Sequence, residues 1–454
     1  MRSNRYEIDM LNGNVTGGLI SFFVPLMLST MLQLLFNTMD LIVVGRFASS
    51  ESLAAVGATT ALINVFINLF IGISIGVNVI AARLIAYDDG ERISSCVHTA
   101  MLVSVIFGVT LVILGGLFAR PCLVLMGTPG DIIDRSALYL KIYFCGMPFF
   151  MVYTFGAAVL RASGDTTHPL IYLSTAGVLN VILNLVLVIV FGLDVAGVAI
   201  ATVFSQFVSC ILVLICLCRS DAAYKLDFKK LRIDFGQLSE ILRIGVPAGI
   251  QSVVINFSNV LLQSSVNTFG ADAIAGYTAC HSIMGFLYAA VNSITQGCMT
   301  FTSQNLAAGK AERLKKIMKS SFMLETVVGL GLGVLCYVFG RQIFSLYSPS
   351  KPVIDCGMEI AVITYLPYVF CGYMDCFTGQ LRGLGHSTLP MVLSIIGVVG
   401  IRAFWIFFIF PLHRTLLFLF VSYPFSWLFT IAMQAISLAL VSKRIGIRGQ
   451  SAGS

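Results

Sequence analysis

The sequence predicts an all-α membrane protein whose twelve transmembrane helices form two pseudo-symmetric six-helix lobes. Three observations carry this. Apolar runs able to cross a hydrocarbon core of roughly 30 Å recur from one end to the other, for instance over residues 53–82, 99–118 and 171–191. Only 11% of residues are charged and 57% are hydrophobic, against about 25% charged in a typical soluble domain, so the surface must face lipid and a large soluble domain has no room. Short motifs also recur at one constant offset, which marks a duplicated unit.

Helix 1 is predicted at 18–44. Its apolar stretch is too long for a secretory h-region of about 7–15 residues, and the polar flank before it carries Arg2 and Arg5, so it reads as a span. Helices 2 to 6 follow at 53–83, 95–118, 137–160, 168–191 and 194–218. Helices 7 to 12 are placed at 241–268, 272–303, 318–340, 357–381, 388–410 and 412–442. Residues 1–218 thus make an N-lobe, 219–240 a cytoplasmic linker and 241–454 a C-lobe.

The duplication is read from LRASGDTTHPL at 160–170, which recurs as LRGLGHSTLPM at 381–391, an offset of 221. The same offset pairs Glu51 with Asp272, Arg92 with Arg313 and Arg120 with Arg341, and Pro25 agrees with Pro247 to within one residue. Six is even, so both copies share one orientation and are related by an axis along the membrane normal. Transporters built on repeats place their substrate at the repeat interface, between halves that rock.

Sorted by alternate sides, 20 of the 28 Lys and Arg fall with the two termini. The positive-inside rule puts that side, and both termini, in the cytoplasm. The basic bias is therefore topological and implies no nucleic acid. The 12 Cys lie mostly singly in apolar runs, with no C-x-x-C pair of a metal site.

Polar residues at helical spacing mark helix faces that cannot meet lipid. Helix 1 carries Ser29, Gln33, Asn37 and Asp40; helix 2 carries Asn64 and Asn68; helix 7 carries Asn259 and Gln263; helix 8 carries His281, Tyr288 and Asn292. Any single amide serves equally as interhelical glue, but several stripes together favour a polar cleft for substrate. Charged residues inside spans are sharper signals, because each costs about 2.5–3.5 kcal/mol to insert. Asp40 has no evident basic partner in the first six helices, and a lone carboxylate in an apolar setting tends to hold a proton. Glu325, Asp375 and Arg402 form a charged set in the C-lobe that is either an ion-pair cluster or functional.

The pieces NTMD at 37–40 with VGR at 44–46, LAAVG at 53–57, LRASGD at 160–165, VAGVAIAT at 195–202 and LRG at 381–383 together resemble the multidrug and toxic compound extrusion (MATE) family over nearly the whole chain. The resemblance implies two six-helix lobes around a cleft and export of cationic or amphiphilic compounds in exchange for H⁺ or Na⁺. It implies Asp40 as the coupling acid, assisted by Tyr139, Asn180 and Thr202. Asn184 stands where a second helix-5 acid is common, while Ile255 and Cys371 stand where the sodium-coupled branch places C-lobe carboxylates. The 221 offset sets Arg402 against Val181, next to Asn180.

The expected function is a cation-coupled, most simply H⁺-coupled, antiporter of small organic molecules. It needs no cofactor beyond the coupling ion, no metal and no obligate protein partner. A Na⁺-coupled exporter and a flippase of lipid-linked precursors are the alternatives; a flippase cleft is more basic. An enzyme is not expected: His281 is isolated, and neither a triad nor an H-E-x-x-H motif is present.

Overall fold

Residues 6–451 are described by the computed structural model; Arg2 and Arg5, and the side chain of Arg448, lie outside what it describes. Among the described residues the chain is helical, with no strand. The long helices are α1 (Val15–Phe47), α2 (Ser50–Tyr87), α3 (Gly90–Leu125), α4 (Ile133–Cys145 continued by Met147–Ser163), α5 (Thr167–Val190) and α6 (Asp194–Arg219). The second half gives α7 (Phe235–Phe269), α8 (Ala271–Ala307), α9 (Ala311–Val338), α10 (Lys351–Thr364 continued by Tyr368–Gly383), α11 (Thr388–Leu412) and α12 (Leu416–Arg444). Ten of these are long and apolar enough to cross a membrane, or twelve when α4 and α10 each count as one bent span.

The two halves share local detail. α4 bends by 44° and α10 by 46°, each beside a proline (Pro148 and Pro367) that interrupts the helical hydrogen bonds. The second segment of each bent span leads into a glycine at positive φ, Gly164 at 98° and Gly385 at 90°, 221 residues apart. That left-handed geometry is open to glycine and strained for other residues, which explains why the LRxxG motif is written twice.

Several helices start or end beyond the predicted limits. Hydropathy locates the apolar slab, whereas a helix continues until its end groups are capped. α3 begins at Gly90 rather than 95, where Asp89 accepts from Arg92 N at 3.1 Å. α7 begins at Phe235 rather than 241, where Asp234 accepts from Gly236 N at 2.8 Å and Gln237 N at 3.2 Å. The connection between α6 and α7 is thereby shortened, and it is stitched to α3. The Asp227 N–H donates to His98 Nε2 at 3.0 Å, and Ser95 Oγ donates to Asp234 Oδ2 at 2.9 Å. The Gln237 N–H, the Ser95 hydroxyl and the Gly236 N–H hold the Asp234 carboxyl below its usual range.

The chain divides into two compact units, and the division is not at the linker. Unit 1 comprises residues 1–9 and 24–246; unit 2 comprises residues 10–23 and 247–454. α1 and α7 therefore each change unit next to a proline, Pro25 and Pro247, where the missing N–H breaks the helical ladder. Within unit 2, Asn305 Nδ2 donates to Met10 O at 3.0 Å and Arg313 Nη2 to Gly13 O at 2.9 Å. Within unit 1, the start of α7 lies so close to α2 that a Cβ on Gly76 would meet Ile241 O at 2.2 Å.

Candidate functional site

In unit 1, Phe36 of α1 lies flat against Gly177 of α5; a Cβ on that glycine would sit 1.8 Å from the ring. This close approach is what small residues permit between membrane helices. One turn further along α1 comes Asp40, and one and two turns further along α5 come Asn180 and Asn184, so the same contact that needs glycine brings the three polar residues together.

The Asn184 amide donates to Asp40 Oδ1 and also to Asn180 Oδ1 at 3.2 Å. Thr202 of α6 donates to Asp40 Oδ2 at 3.4 Å, but shares its hydroxyl hydrogen with Val198 O at 3.0 Å. Asn180 donates to Thr202 Oγ1 at 3.4 Å and so supports both partners without touching the acid. Asn180 and Asn184 are buried, and no cation pairs with Asp40 among the described ion pairs. Tyr139 on α4 is buried close enough for its hydroxyl to feel the Asp40 charge, its ring tilted against that of Tyr143 with centroids 6.0 Å apart, but it makes no hydrogen bond to the acid. Chemically the group is one carboxylate facing neutral donors and acceptors, and the Asn184 Oδ1 is buried without a partner. Such a set can stabilise either protonation state, or offer several oxygens to a small monovalent cation.

The remaining polar candidates are spread over both units. Gln33, Asn37 and Asn64 are exposed and Asn68 is half-buried, its amide returned to Asn64 O at 2.7 Å. In unit 2, Gln263 is half-buried and donates to Asn267 at 3.0 Å, and His281 is exposed beside Tyr277. Gln296 donates to Asn292 at 2.8 Å and Asn292 to the exposed Tyr288 hydroxyl at 3.3 Å, an amide ladder along α8.

Among the described residues Glu325, Asp375 and Arg402 make no ion pair with one another, which tells against the ion-pair reading of this set. Glu325 is fully buried between α9 and α10 against Gly372, with Cys376 Sγ at 3.7 Å from Oε1 and no partner on Oε2. Asp375 feels the charge of Arg382, and its Oδ2 has no partner. Arg402 is turned instead toward Asn259 of α7 and Ser426 of α12 and stacks on Tyr423. Its place in the repeat also shifts by one. α11 contains a π turn at Ile395–Gly400 that α5 lacks ahead of Asn180, and the added residue sets Arg402 opposite Asn180 rather than Val181.

Sequence reasoning missed the α12 face. Ser422, Ser426, Thr430 and Gln434 step by four and are each fully buried. Gln434 donates to Thr378 at 3.0 Å and to Ser394 at 3.1 Å; Gln251 donates to Ser394 at 3.0 Å and accepts from Arg382 at 2.8 Å. The spacing was the signal, on the same rule that found the helix-1 stripe.

Comparison with known proteins agrees with the duplicated helical fold. The family model described as MatE matches residues 25–186 and again residues 247–408, two ranges that begin and end 222 residues apart. The probable multidrug resistance protein YoeA of Bacillus subtilis (strain 168) is 29% identical over 84% of this chain and 84% of its own length. The multidrug export protein MepA of Staphylococcus aureus (strain bovine RF122 / ET3-1) is 21% identical over 86% of both. Among solved structures, the outward-facing conformation of a multidrug resistance MATE family transporter of the MOP superfamily superposes with a TM-score of 0.89 at 19% identity, covering 98% of this chain and 99% of that one; at that identity the likeness speaks for the fold.

Proposed function

The chain belongs to the MatE family, and on that premise we propose that it exports small organic, cationic or amphiphilic molecules from the bacterial cytoplasm in exchange for protons, with Asp40 as the proton carrier. The observation that supports this most directly is the surroundings of Asp40: an amide and a hydroxyl donate to it, and among the described residues no cation pairs with it. A fixed cation would hold the carboxylate ionised through the cycle. Neutral donors support the carboxylate without a permanent counter-charge, so the group can take up and release a proton, as a carrier requires.

In the ionised state Asn184 carries most of the stabilisation, because hydrogen bonds to a charged group are worth about 1.5–3 kcal/mol each and the Thr202 contact is longer and shared. Protonation removes the charge that aligns Asn184, and with it the tie between α1 and α5. Proton arrival from outside then favours the substrate-releasing arrangement, and proton loss to the cytoplasm restores the substrate-accepting one. Both termini are placed in the cytoplasm by the distribution of Lys and Arg.

Na⁺ is the second reading. The unpartnered Asn184 Oδ1 favours it, since together with Asp40, Asn180 and Thr202 it would give a small cation several oxygen ligands. A single formal charge makes that site weak, and the proton is preferred. The deciding experiment loads everted membrane vesicles with a fluorescent cationic dye under an imposed pH gradient at zero Na⁺. Wild-type protein is expected to accumulate the dye, and Asp40→Asn to fail while still folding. Na⁺-driven transport at fixed pH overturns the proton assignment.

A further inference from the structure

Arg402 poses a problem of electrostatics that the transport reading leaves unused. Its side chain lies within a membrane-spanning helix and the residue is 3% exposed. A guanidinium remains charged and offers five N–H donors and no acceptor. Two of these are used, both on neutral oxygens: Nε donates to Ser426 Oγ at 3.3 Å and Nη1 to Asn259 Oδ1 at 3.2 Å. The face of the group lies 3.9 Å from the centre of the Tyr423 ring. Ring and amide offset part of the charge, but among the described residues no carboxylate pairs with it. The acids of the same unit are elsewhere, Glu325 against Cys376 and Asp375 in the field of Arg382.

A buried charge held only by neutral groups is costly, and an unpartnered hydroxyl stands beside it. The Tyr423 hydroxyl is buried near Tyr277 but outside hydrogen-bond geometry with it. Donors of one sense, a full positive charge and an aromatic wall that includes Tyr368 and Trp427 describe a receptor for a negative group. Arginine matches carboxylate geometry better than any other side chain.

We infer that Arg402, Asn259 and Tyr423 form a binding site for a monovalent anion, either a carboxylate carried by the exported molecule or a free small anion. Only the first source rests on the export reading; the site itself does not. If the cargo supplies the group, this exporter accepts zwitterionic amphiphiles as well as cations.

The chain holds two tryptophans, Trp405 and Trp427. Trp427 lies 5.5 Å from the Tyr423 ring and Trp405 is one turn beyond Arg402, so intrinsic fluorescence reports on this place. Purified full-length protein is titrated with sodium butyrate and, separately, sodium chloride, at constant ionic strength with sulfate. A saturable change is expected, weakened at least tenfold in Arg402→Gln. Asn259→Asp should abolish it too, because an internal carboxylate then occupies the guanidinium; a raised Tm in that variant shows that it folds. In a second arm, export of rhodamine 110, a free carboxylic acid, is compared with that of its methyl ester rhodamine 123. A carboxylate-to-ester ratio lowered at least tenfold by Arg402→Gln assigns the site to cargo. An unchanged ratio with an intact fluorescence response assigns it to a free anion. No response to either anion together with an unchanged ratio overturns the inference. Failure of wild-type protein to export either dye tells against the export reading and leaves the fluorescence result to decide the site.

Discussion

Asp40 on α1 and Arg402 on α11 stand on different helices of the repeat, yet each is the charged residue where three equivalent helices meet, and their surroundings differ in kind. In unit 1, helices α1, α5 and α6 converge on an acid through Asp40, Asn180, Asn184 and Thr202. In unit 2 the equivalent helices α7, α11 and α12 converge on a base through Asn259, Arg402, Tyr423 and Ser426. A carboxylate can take up a proton and lose its charge, whereas a guanidinium stays charged. Duplication has therefore supplied one cradle twice, and divergence has placed a carboxylic acid in one copy and a permanent cation in the other. Sequence similarity between the halves says where a site can be and nothing about its sign.

The largest expected effect tests the switch. Asp40→Asn should lower gradient-driven export by at least two orders of magnitude with Tm little changed, since an amide keeps the shape but carries no proton. If Arg402→Gln abolishes export of a carboxylate-free dye just as completely, the contrast between the halves is broken.

Next is the contact that assembles the acid site. Gly177→Leu must push Phe36 away, at a cost of about 1–3 kcal/mol for overpacking. Export should fall roughly tenfold or more through lost alignment of Asn184. Gly116→Leu, where nothing lies within 4 Å, should leave both export and Tm as they were. Equal damage by the two substitutions would show that helix packing in general, rather than this contact, governs the site.

The partners of Asp40 sharpen the comparison further. Asn184→Leu should slow export about tenfold, as loss of a hydrogen bond to a charged group implies. Thr202→Val should slow it only about twofold, because that hydroxyl already serves Val198 O. The reverse order in a dye-export assay would make Thr202 the principal partner.

The smallest effect lies outside the membrane and checks that the lobes, rather than their connection, differ. The Asp234 carboxyl is held below its usual range by the N–H groups of Gln237 and Gly236 and the Ser95 hydroxyl. Its stabilising contribution is therefore present above the ordinary carboxylate value of about 3.9 and is lost as pH falls through the lower folded value. Asp234→Asn should reduce Tm slightly at neutral pH, with the difference shrinking under strong acid, and should leave dye export unaltered.

Much of this was legible in the sequence. Apolar runs gave the spans, and the recurring LRxxG motif gave the duplication because its glycines occupy a backbone geometry that few residues tolerate. Asp40 stood out because no basic residue in the first six helices is an evident partner for it. The π turn in α11 was not legible: it adds one residue without any change of hydropathy, and so displaced the partner of Arg402 by one. Nor was the true setting of Arg402, since a long side chain can turn to either of two helix neighbours and composition does not say which. The exchange of helix beginnings between units was hidden as well, because hydropathy marks where a helix crosses the bilayer and not what it packs against.

That exchange at Pro25 and Pro247 has a consequence for biogenesis. Residues 10–23 are made early, yet Asn305, which donates to Met10 O, is made 295 residues after it. The opening segment of the chain must therefore wait through synthesis of the whole first half before it finds its place. The first unit, conversely, is complete only when residues 235–246 have emerged. Neither half is a self-sufficient translation product, and a gene cut within the linker should yield fragments that are proteolysed singly and rescued by co-expression.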